Sequence, residues 1–211
     1  MKINLTQITR STVLKTAGII SAALVTPALI NKTYAVTPEN DVFVSADSLI
    51  TPKGISADSA KISYPSPVIN VGGNEINAAV IVDLNKNILY KYDEFGKPKT
   101  AYLVASGKKS TPTKPCIKRV THIENYPYST APETTKRRNA PSDYGPRVIC
   151  LEIIDKNSGA VSGVDGQFIH GNHDESSLGK YASLGCVRMD NNAVKELSLG
   201  LKRGDYVVFM R

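Results

Sequence analysis

Short apolar segments separated by turn residues fill the chain from residue 77 to the C-terminus. Two of them, AAVIVDL (78–84) and ILYKYDE (88–94), flank a polar Asn-Lys-Asn turn, which predicts a β-hairpin. Further strands are predicted at 100–106, 116–123, 147–154, 167–170 and 205–210. This pattern predicts a mainly β domain.

One helix is predicted before the last of these strands. Asp190 or Asn191 can accept hydrogen bonds from its first turn, and Gly200 can end it. Its apolar side is formed by Ala193, Val194, Leu197 and Leu199. The helix and the final strand then close the domain.

The N-terminal segment has the pattern of a secretory signal peptide, residues 1–35. Three basic residues precede an apolar run, and small residues beyond it predict cleavage after Ala35. The alternative is an uncleaved membrane anchor, but Pro27 interrupts the run, which has 15 residues where a spanning helix requires about 20. Residues 36–75 are interpreted as a linker or a loosely packed arm, because Pro, Ser and Gly break each apolar stretch. The domain itself is expected at 76–211.

The net charge argues against one class of partner. The formal charge is +7, and four of the Lys and Arg residues lie in the predicted signal peptide, which leaves +3 for residues 36–211. This mild excess is compatible with an anionic cell wall or membrane surface but is too small to indicate nucleic acid binding. We expect a secreted, monomeric protein of the cell wall or periplasm, without stable membrane insertion once the signal peptide is removed.

The segment FIHGNHDESSLGKYASLGCVRM (168–189) carries the candidate chemistry. A thiol is a nucleophile only as the thiolate, so a catalytic Cys186 requires a base, and His170 at the end of a predicted strand is the candidate. Gly185 allows close approach of a substrate and leaves backbone N–H groups for an oxyanion. Arg188 lies two residues beyond the thiol, on the same side of a strand. The alternative is that Cys186 is a small buried side chain.

These motifs resemble the catalytic domain of the L,D-transpeptidases, the YkuD-type family of cell-wall enzymes. The resemblance extends from about residue 77 to the C-terminus. It rests on Ile-His-Gly (169–171), on Ser-x-Gly-Cys-Val-Arg-Met (183–189) and on the Ser-Gly-Lys…Thr-Pro-Thr segment (106–113) behind the hairpin. It implies a YkuD-like β-sandwich with one helix in the C-terminal region and a long lid loop.

The resemblance implies a peptidoglycan L,D-transpeptidase that needs no metal and no organic cofactor. Cys186 corresponds to the nucleophile, which attacks the carbonyl between the third residue of a peptidoglycan stem peptide and its terminal D-alanine. Loss of D-alanine leaves a thioester, which the side-chain amine of a neighbouring third residue resolves to form a cross-link. His170 corresponds to the base that later acts as an acid, and Gly171 to the residue whose carbonyl orients the imidazole. The pocket around the thiolate corresponds to Ser183, Gly185 and Arg188.

A long loop separates two of the predicted strands. Its 23 residues, 124–146, hold four prolines and no apolar period, and a loop of this length is commonly functional. We predict a lid, in which Tyr126, Tyr128 and Tyr144 cover apolar parts of the stem peptide and the basic residues 136–138 meet its carboxylates. The alternative is a solvated basic loop with exposed tyrosines.

Two positions and one turn depart from the family pattern. Leu184 stands where many members have histidine, so His170 is expected to carry the proton chemistry alone. Asn172 replaces the threonine that is usual after His-Gly. Lys114-Pro115-Cys116 replaces a more glycine-rich turn. These departures affect the expected substrate preference more than the reaction.

The other two histidines are interpreted separately. His173 lies close enough to His170 in sequence to suggest a metal, but two histidines without further ligands at suitable spacing are a weak signal. No metal is therefore expected. His122, on a predicted strand, is interpreted as structural.

Three cysteines in a protein expected to be secreted leave at least one thiol unpaired. If 116–123 and 147–154 form an antiparallel hairpin centred near residue 133, Cys116 and Cys150 face each other. We hypothesise a disulfide between these two, which closes the long loop and leaves Cys186 free. The alternative is two buried thiols.

Other functions stay open from the sequence. Water in place of the acceptor amine makes the same site an L,D-carboxypeptidase. A sortase-like enzyme also uses Cys, His and Arg, but its histidine normally lies far upstream of its cysteine. A catalytically silent peptidoglycan-binding wall protein differs in the reactivity of Cys186. The acceptor, diaminopimelate or lysine, and the linkage, wall to wall or wall to protein, also stay open.

Overall fold

The computed structural model describes residues 49–50 and 63–211. The predicted signal peptide lies outside the described residues, as does most of the predicted arm. None of the helices in the described part of the chain has the length and hydropathy needed to cross a membrane.

The described residues form fourteen strands and two α-helices. The strands are β1 (Leu49–Ile50), β2 (Val68–Val71), β3 (Asn74–Asn77), β4 (Val80–Asp83), β5 (Ile88–Tyr92), β6 (Pro98–Leu103), β7 (Ser106–Gly107), β8 (Cys116–Asn125), β9 (Arg147–Ile154), β10 (Val161–Gly163), β11 (Ile169–His170), β12 (Tyr181–Ser183), β13 (Val187–Arg188) and β14 (Tyr206–Met210). The helices are α1 (Lys136–Asn139) and α2 (Asn191–Leu199). The mainly β prediction is therefore confirmed.

One ten-stranded sheet dominates the fold, in the order β1-β6-β5-β4-β14-β8-β9-β11-β13, with β10 paired to β9. The sheet curls, because Ala105, just beyond β6, exchanges two backbone hydrogen bonds of 2.8 and 2.9 Å with Arg188 of β13. β7 and β12 form a separate two-stranded sheet, as do β2 and β3. The curl brings the short strands β11 and β13 to one side of the domain.

Alternating side chains of the sheet fill two apolar layers. On one face, Val80 and Val82 pack with Val194 and Leu197 of α2, and all four are buried. On the other face, Ile81 packs in a cluster with Tyr64, Tyr90 and other aromatic residues. Each fully buried aliphatic side chain of this kind contributes about 1.5–3 kcal/mol to the free energy of folding, so both apolar layers stabilise the curled sheet.

Helix α2 forms as its sequence predicts. The Asp190 carboxylate accepts hydrogen bonds from the N–H groups of Asn192 and Ala193, at 2.8 and 2.9 Å, and so caps the first turn. Gly200 follows the last turn, and its N–H donates to the carbonyl of Leu197. The helix then packs its apolar side on the sheet.

Residues 63–75, part of the segment interpreted as a linker or loose arm, are ordered into the fold. Tyr64 is 8% exposed and packs edge-on against the rings of Tyr90 and Tyr92. The Tyr92 hydroxyl donates a 2.5 Å hydrogen bond to the Pro65 carbonyl. Strand β2 follows directly, so proline and serine here mark the edge of a packed hairpin instead of a tether.

The hypothesised disulfide between Cys116 and Cys150 is wrong, because all three cysteines are free. In the β8–β9 pair Cys150 lies opposite His122, while Cys116 lies opposite Phe209 of β14. The hairpin is centred several residues later than the sequence estimate, and a bulge between Val120 and His122 shifts its register further. The two thiols therefore cannot bridge without a rearrangement of the sheet.

Candidate active site

Two adjacent parallel strands, β11 and β13, position the candidate catalytic residues. Ile169 lies opposite Val187, and both side chains are fully buried in the core. Because side chains alternate along a strand, His170 and Arg188 lie on the other side, as does Cys186 immediately before β13. His170, Cys186 and Arg188 all line one cavity of about 230 Å³, together with Lys136, Asp143, Tyr144, Gly166, Ser183 and Leu184.

The Cys186 sulfur rests against the backbone just before β11. The N–H of Phe168 donates to Sγ at 3.4 Å, and the thiol donates to the carbonyl of Gly166 at 3.5 Å. The imidazole of His170 is not among the hydrogen-bond partners that Sγ has within the described residues. Catalytic hydrogen bonds commonly tighten only when substrate is bound. Burial raises the pKa of the Cys186 thiol, and the hydrogen bond from Phe168 and the charges of Lys118 and Arg188 oppose that rise.

The His170 ring is buried and fixed in one tautomer. Its Nδ1 lies 2.6 Å from the carbonyl oxygen of Gly171, which can only accept, so Nδ1 carries the hydrogen. Nε2 is then the basic nitrogen. Burial lowers the pKa of His170 to about 4, against the opposing hydrogen bond to Gly171. The Tyr144 ring packs against the imidazole, with 4.6 Å between the two ring centroids. At its lowered pKa the His170 ring is neutral near pH 7 and able to accept a proton.

A tight turn leads from β12 to Cys186. The hydroxyl of Ser183 donates to the Cys186 carbonyl at 2.5 Å and accepts from the Gly185 N–H at 3.0 Å. Gly185 has a φ of +124°, and a Cβ there would lie 2.8 Å from Nε2 of Gln167. The turn therefore requires glycine for its backbone and for space.

The same turn corrects one expectation about oxyanion donors. The Gly185 N–H already binds Ser183, so it is not available to an oxyanion. The Cys186 N–H, by contrast, has no hydrogen-bond partner among residues 63–211. Ser183 and Gly185 thus shape the turn, and Cys186 itself presents a free donor.

The turn is anchored by residues that the sequence analysis did not single out. The Thr113 hydroxyl donates to the Gly185 carbonyl and accepts from the Gly107 N–H, both at 2.8 Å. Gln167 accepts from the Lys114 N–H and donates to the Pro112 carbonyl, both at 3.1 Å. Thr113 belongs to the Thr-Pro-Thr motif, which was the one sequence signal for its role, and Gln167 had no such signal.

The lid loop contains α1 and a 3₁₀ turn at Pro141–Tyr144. Of its three tyrosines only Tyr144 lines the cavity, because Tyr128 is fully buried and donates to the Gly145 carbonyl at 2.5 Å, and Tyr126 is exposed. Of its basic residues at 136–138 only Lys136 lines the cavity. The loop is therefore neither wholly solvated nor wholly directed at the cavity.

An ion pair fastens the lid to β8. Arg137 donates to both carboxylate oxygens of Glu124, at 2.5 and 2.9 Å, and the two side chains are 13% and 3% exposed. Burial disfavours ionisation of Glu124, but the hydrogen bonds from Arg137 and His122 outweigh it and lower the pKa of this carboxyl. Arg137 also lies over the ring of Phe168, the residue whose backbone N–H contacts the thiol. The lid is thus docked next to the cavity.

Replacing Arg137 by methionine is expected to lower the free energy of unfolding by about 3 kcal/mol, because the buried Glu124 loses its guanidinium and keeps His122 as its remaining side-chain partner within the described residues. Urea denaturation of the two proteins measures the difference. The double variant Arg137→Met, Glu124→Leu removes both charges and is expected to recover most of the loss. Equal stability of the single variant and the wild type would contradict this assignment of the ion pair.

The donor atoms of His122, Glu124 and Cys150 lie within 4.8 Å of one another, the one such group of three found in the described residues. Both Glu124 oxygens already bind Arg137. Burial raises the pKa of Cys150 to about 12, so its thiol stays protonated. A guanidinium and a neutral thiol suit an ion-pair network better than a metal. His122 accordingly lies in a structural network, 3.0 Å from Glu124.

The loop after His170 is held by Asn172. This side chain is buried and donates to the Ser177 hydroxyl at 2.7 Å, while its N–H donates to the side chain of Asn191 at 2.9 Å. His173, next in sequence, is half exposed, with Nδ1 3.9 Å from Asp143. Asn172 therefore supports the loop, whereas Leu184, 61% exposed, forms part of the cavity rim.

A larger cleft, about 630 Å³, lies elsewhere, between β2 and strands β8, β9 and β14. It contains Cys116, whose pKa is raised by burial. No histidine is present among the described residues that line it. The smaller cavity with Cys186 and His170 is therefore the candidate active site.

The L,D-transpeptidase catalytic domain family, YkuD, matches residues 77–209 of the chain. The chain therefore belongs to this family, as the sequence motifs predict. No curated protein matches the chain.

Several solved structures of L,D-transpeptidases are similar in fold. A mutant enzyme from Enterococcus faecium shares 19% identity over 64% of this chain and 50% of its own, with a TM-score of 0.48. The enzyme from Mycobacterium smegmatis shares 15% identity over 70% of this chain and 69% of its own, with a TM-score of 0.43. The enzyme from Xylanimonas cellulosilytica shares 19% identity over 70% of this chain and 64% of its own, with a TM-score of 0.43. The chain spans about half the length of the Enterococcus faecium protein.

Proposed function

We propose that the chain is a peptidoglycan L,D-transpeptidase acting outside the cytoplasm, with Cys186 as nucleophile and His170 as base and acid. The observation that carries the proposal is the shared cavity of the thiol and a neutral, buried imidazole whose Nδ1 is committed to Gly171. The family supports the reaction class. Beyond the reaction class, we propose the stem peptide as substrate, the bond to its terminal D-alanine as the one cleaved, and the roles given to Cys186 and His170.

The first half-reaction forms a thioester. Nε2 of His170 takes the thiol proton, and the sulfur of Cys186 attacks the carbonyl carbon between the third stem residue and D-alanine. The Cys186 N–H, free of other partners within the described residues, can donate to the oxyanion. Collapse of the intermediate breaks the C–N bond, and the imidazolium returns its proton to the departing D-alanine amine.

The second half-reaction transfers the acyl group. The side-chain amine of a neighbouring third residue attacks the thioester, loses its proton to His170, and releases the Cys186 thiolate, which is reprotonated. Three charged groups on the cavity wall suit the reactants. Lys136 and Arg188 match stem carboxylates, and Asp143 matches the acceptor ammonium before it is deprotonated. Water as acceptor would give carboxypeptidase activity from the same thioester.

Incubation of the purified protein with a tetrapeptide stem tests the proposal, with mass spectrometry of free D-alanine and of cross-linked dimer. The proposal predicts both products in equal amounts. D-Alanine without dimer would indicate a carboxypeptidase, and the absence of both would indicate a silent binding protein. Either result would reject the transpeptidase assignment.

A further inference from the structure

Lys118 is a fully buried lysine close to the candidate active site. It is the third residue of β8 and pairs with both β9 and β14, and its side chain has no exposed area. Its Nζ donates to Oδ1 of Asp165 at 2.7 Å and to the carbonyl of Gln167 at 2.8 Å. Burying an ammonium costs several kcal/mol after relaxation, so its presence at a core position requires a compensating contact or a function.

The carboxylate partner of this lysine is itself incompletely satisfied. Oδ1 of Asp165 accepts from Lys118 and from the Gln167 N–H, at 2.7 and 2.9 Å. Oδ2 is buried and has no hydrogen-bond partner within the described residues. An ion pair optimised for stability alone would satisfy both oxygens, so this pair is poorly explained as a purely structural feature.

The contacts of Lys118 lead directly to the sulfur of Cys186. Gln167, whose carbonyl binds Nζ, lies between Gly166 and Phe168 in sequence. Those two neighbours supply the backbone groups that contact Sγ, the Gly166 carbonyl at 3.5 Å and the Phe168 N–H at 3.4 Å. The ammonium therefore holds the central carbonyl of the three-residue segment against which the thiol rests.

We propose that Lys118 is a positioning residue for Cys186, which fixes segment 166–168 against the sulfur and stabilises the thiolate by its buried positive charge. The inference rests on the proposed function in one respect, that Cys186 is the nucleophile. The ammonium has no exposed area, so water screens its charge only weakly.

Other charged and titratable groups also face Cys186. Burial raises the pKa of its thiol most, and Lys118 and Arg188 lower it, whereas Asp165 raises it. The cavity further contains groups from β11 and from the lid, namely His170, Lys136, Asp143 and Tyr144. Lys118 and Asp165 therefore act on the thiolate with opposite signs from one ion pair.

Because Lys118 and Asp165 shift the pKa of Cys186 in opposite directions, removing each charge separately distinguishes a charge effect from structural damage. Lys118→Met removes the positive charge and leaves the negative one, so the pH midpoint for alkylation of Cys186 is expected to rise by about one unit. Asp165→Asn keeps the shape and removes the negative charge, so the midpoint is expected to fall. A loss of packing would move both variants in the same direction.

The measurement is the rate of iodoacetamide modification as a function of pH, followed at the tryptic peptide Tyr181–Arg188. This peptide contains Cys186 alone, because Lys180 and Arg188 flank it. A one-unit rise corresponds to about tenfold slower modification at pH 7 for Lys118→Met. Lys156→Met, an exposed lysine on the β9–β10 turn, is the matched control and is expected to keep the wild-type midpoint.

An unchanged midpoint in Lys118→Met, or shifts of both variants in one direction, would overturn the inference. If Lys118→Met does not fold, Asp165→Asn decides alone, and a midpoint at or above the wild-type value contradicts the proposal. The readout is chemical modification and not transpeptidation. Failure of Cys186 to act on stem peptides would therefore reject the proposed function without altering this result.

Discussion

Replacing Cys186 by alanine is expected to abolish release of D-alanine from a tetrapeptide stem, with a loss of more than about 10³-fold. The reason is that the thioester has no other atom on which to form, and removal of a nucleophile eliminates the whole covalent route. The rate of D-alanine release, measured by mass spectrometry, gives the loss.

Two other thiols supply matched controls for this variant. Cys150→Ala removes a buried thiol that burial keeps protonated, and Cys116→Ser alters a thiol in a different cleft. Both variants are expected to retain activity within a few-fold. Activity that survives in Cys186→Ala, or disappears equally in all three variants, would contradict the mechanism.

Replacing His170 by glutamine is expected to lower the rate of D-alanine release by about 10²- to 10⁴-fold, the usual contribution of a general base. The pH dependence should change as well. Because burial lowers the pKa of His170 to about 4, the wild-type imidazole is neutral from about pH 5 upward, and activity should fall only as pH drops through 4. In the variant the thiol must lose its proton to solvent, so activity should rise with pH through the neutral range.

His122→Gln and His173→Gln are the controls, since neither ring lines the cavity. Both should keep the pH profile of the wild type. A variant His170→Gln with an unchanged profile would show that another group takes the thiol proton.

Much of the fold could be predicted from the sequence, because its strands and helix have strong local residue preferences. The 147–154 run is β-branched and apolar, and β9 spans the same residues. Asp190 and Gly200 bound α2 as their capping preferences predict. In each case the local preference and the tertiary packing favour the same structure.

The errors have a different origin, because they depend on pairing between distant segments. The predicted Cys116–Cys150 disulfide was wrong because it assumed the wrong register between β8 and β9. That register depends on the centre of the hairpin and on a bulge, and composition reveals neither. The segment around Tyr64 resembled a linker because its burial comes from partners on β5.

Lys118 shows a signal that was present but not used. It occupies an alternating position of β8 on the side of buried Val120, and a lysine on a core-facing position is unusual. The sequence could therefore have marked it as a residue requiring a buried partner. Its partners, Asp165 and the Gln167 carbonyl, could not be identified without the fold.

The most direct test of the central claim is the mass of the wild-type protein after brief incubation with a tetrapeptide stem and acid quenching. Acylation of Cys186 predicts an added tripeptide-stem mass, located on the peptide Tyr181–Arg188 and absent from Cys186→Ala. An adduct on another residue, or D-alanine release without any adduct on this peptide under conditions that trap a thioester, would contradict the account.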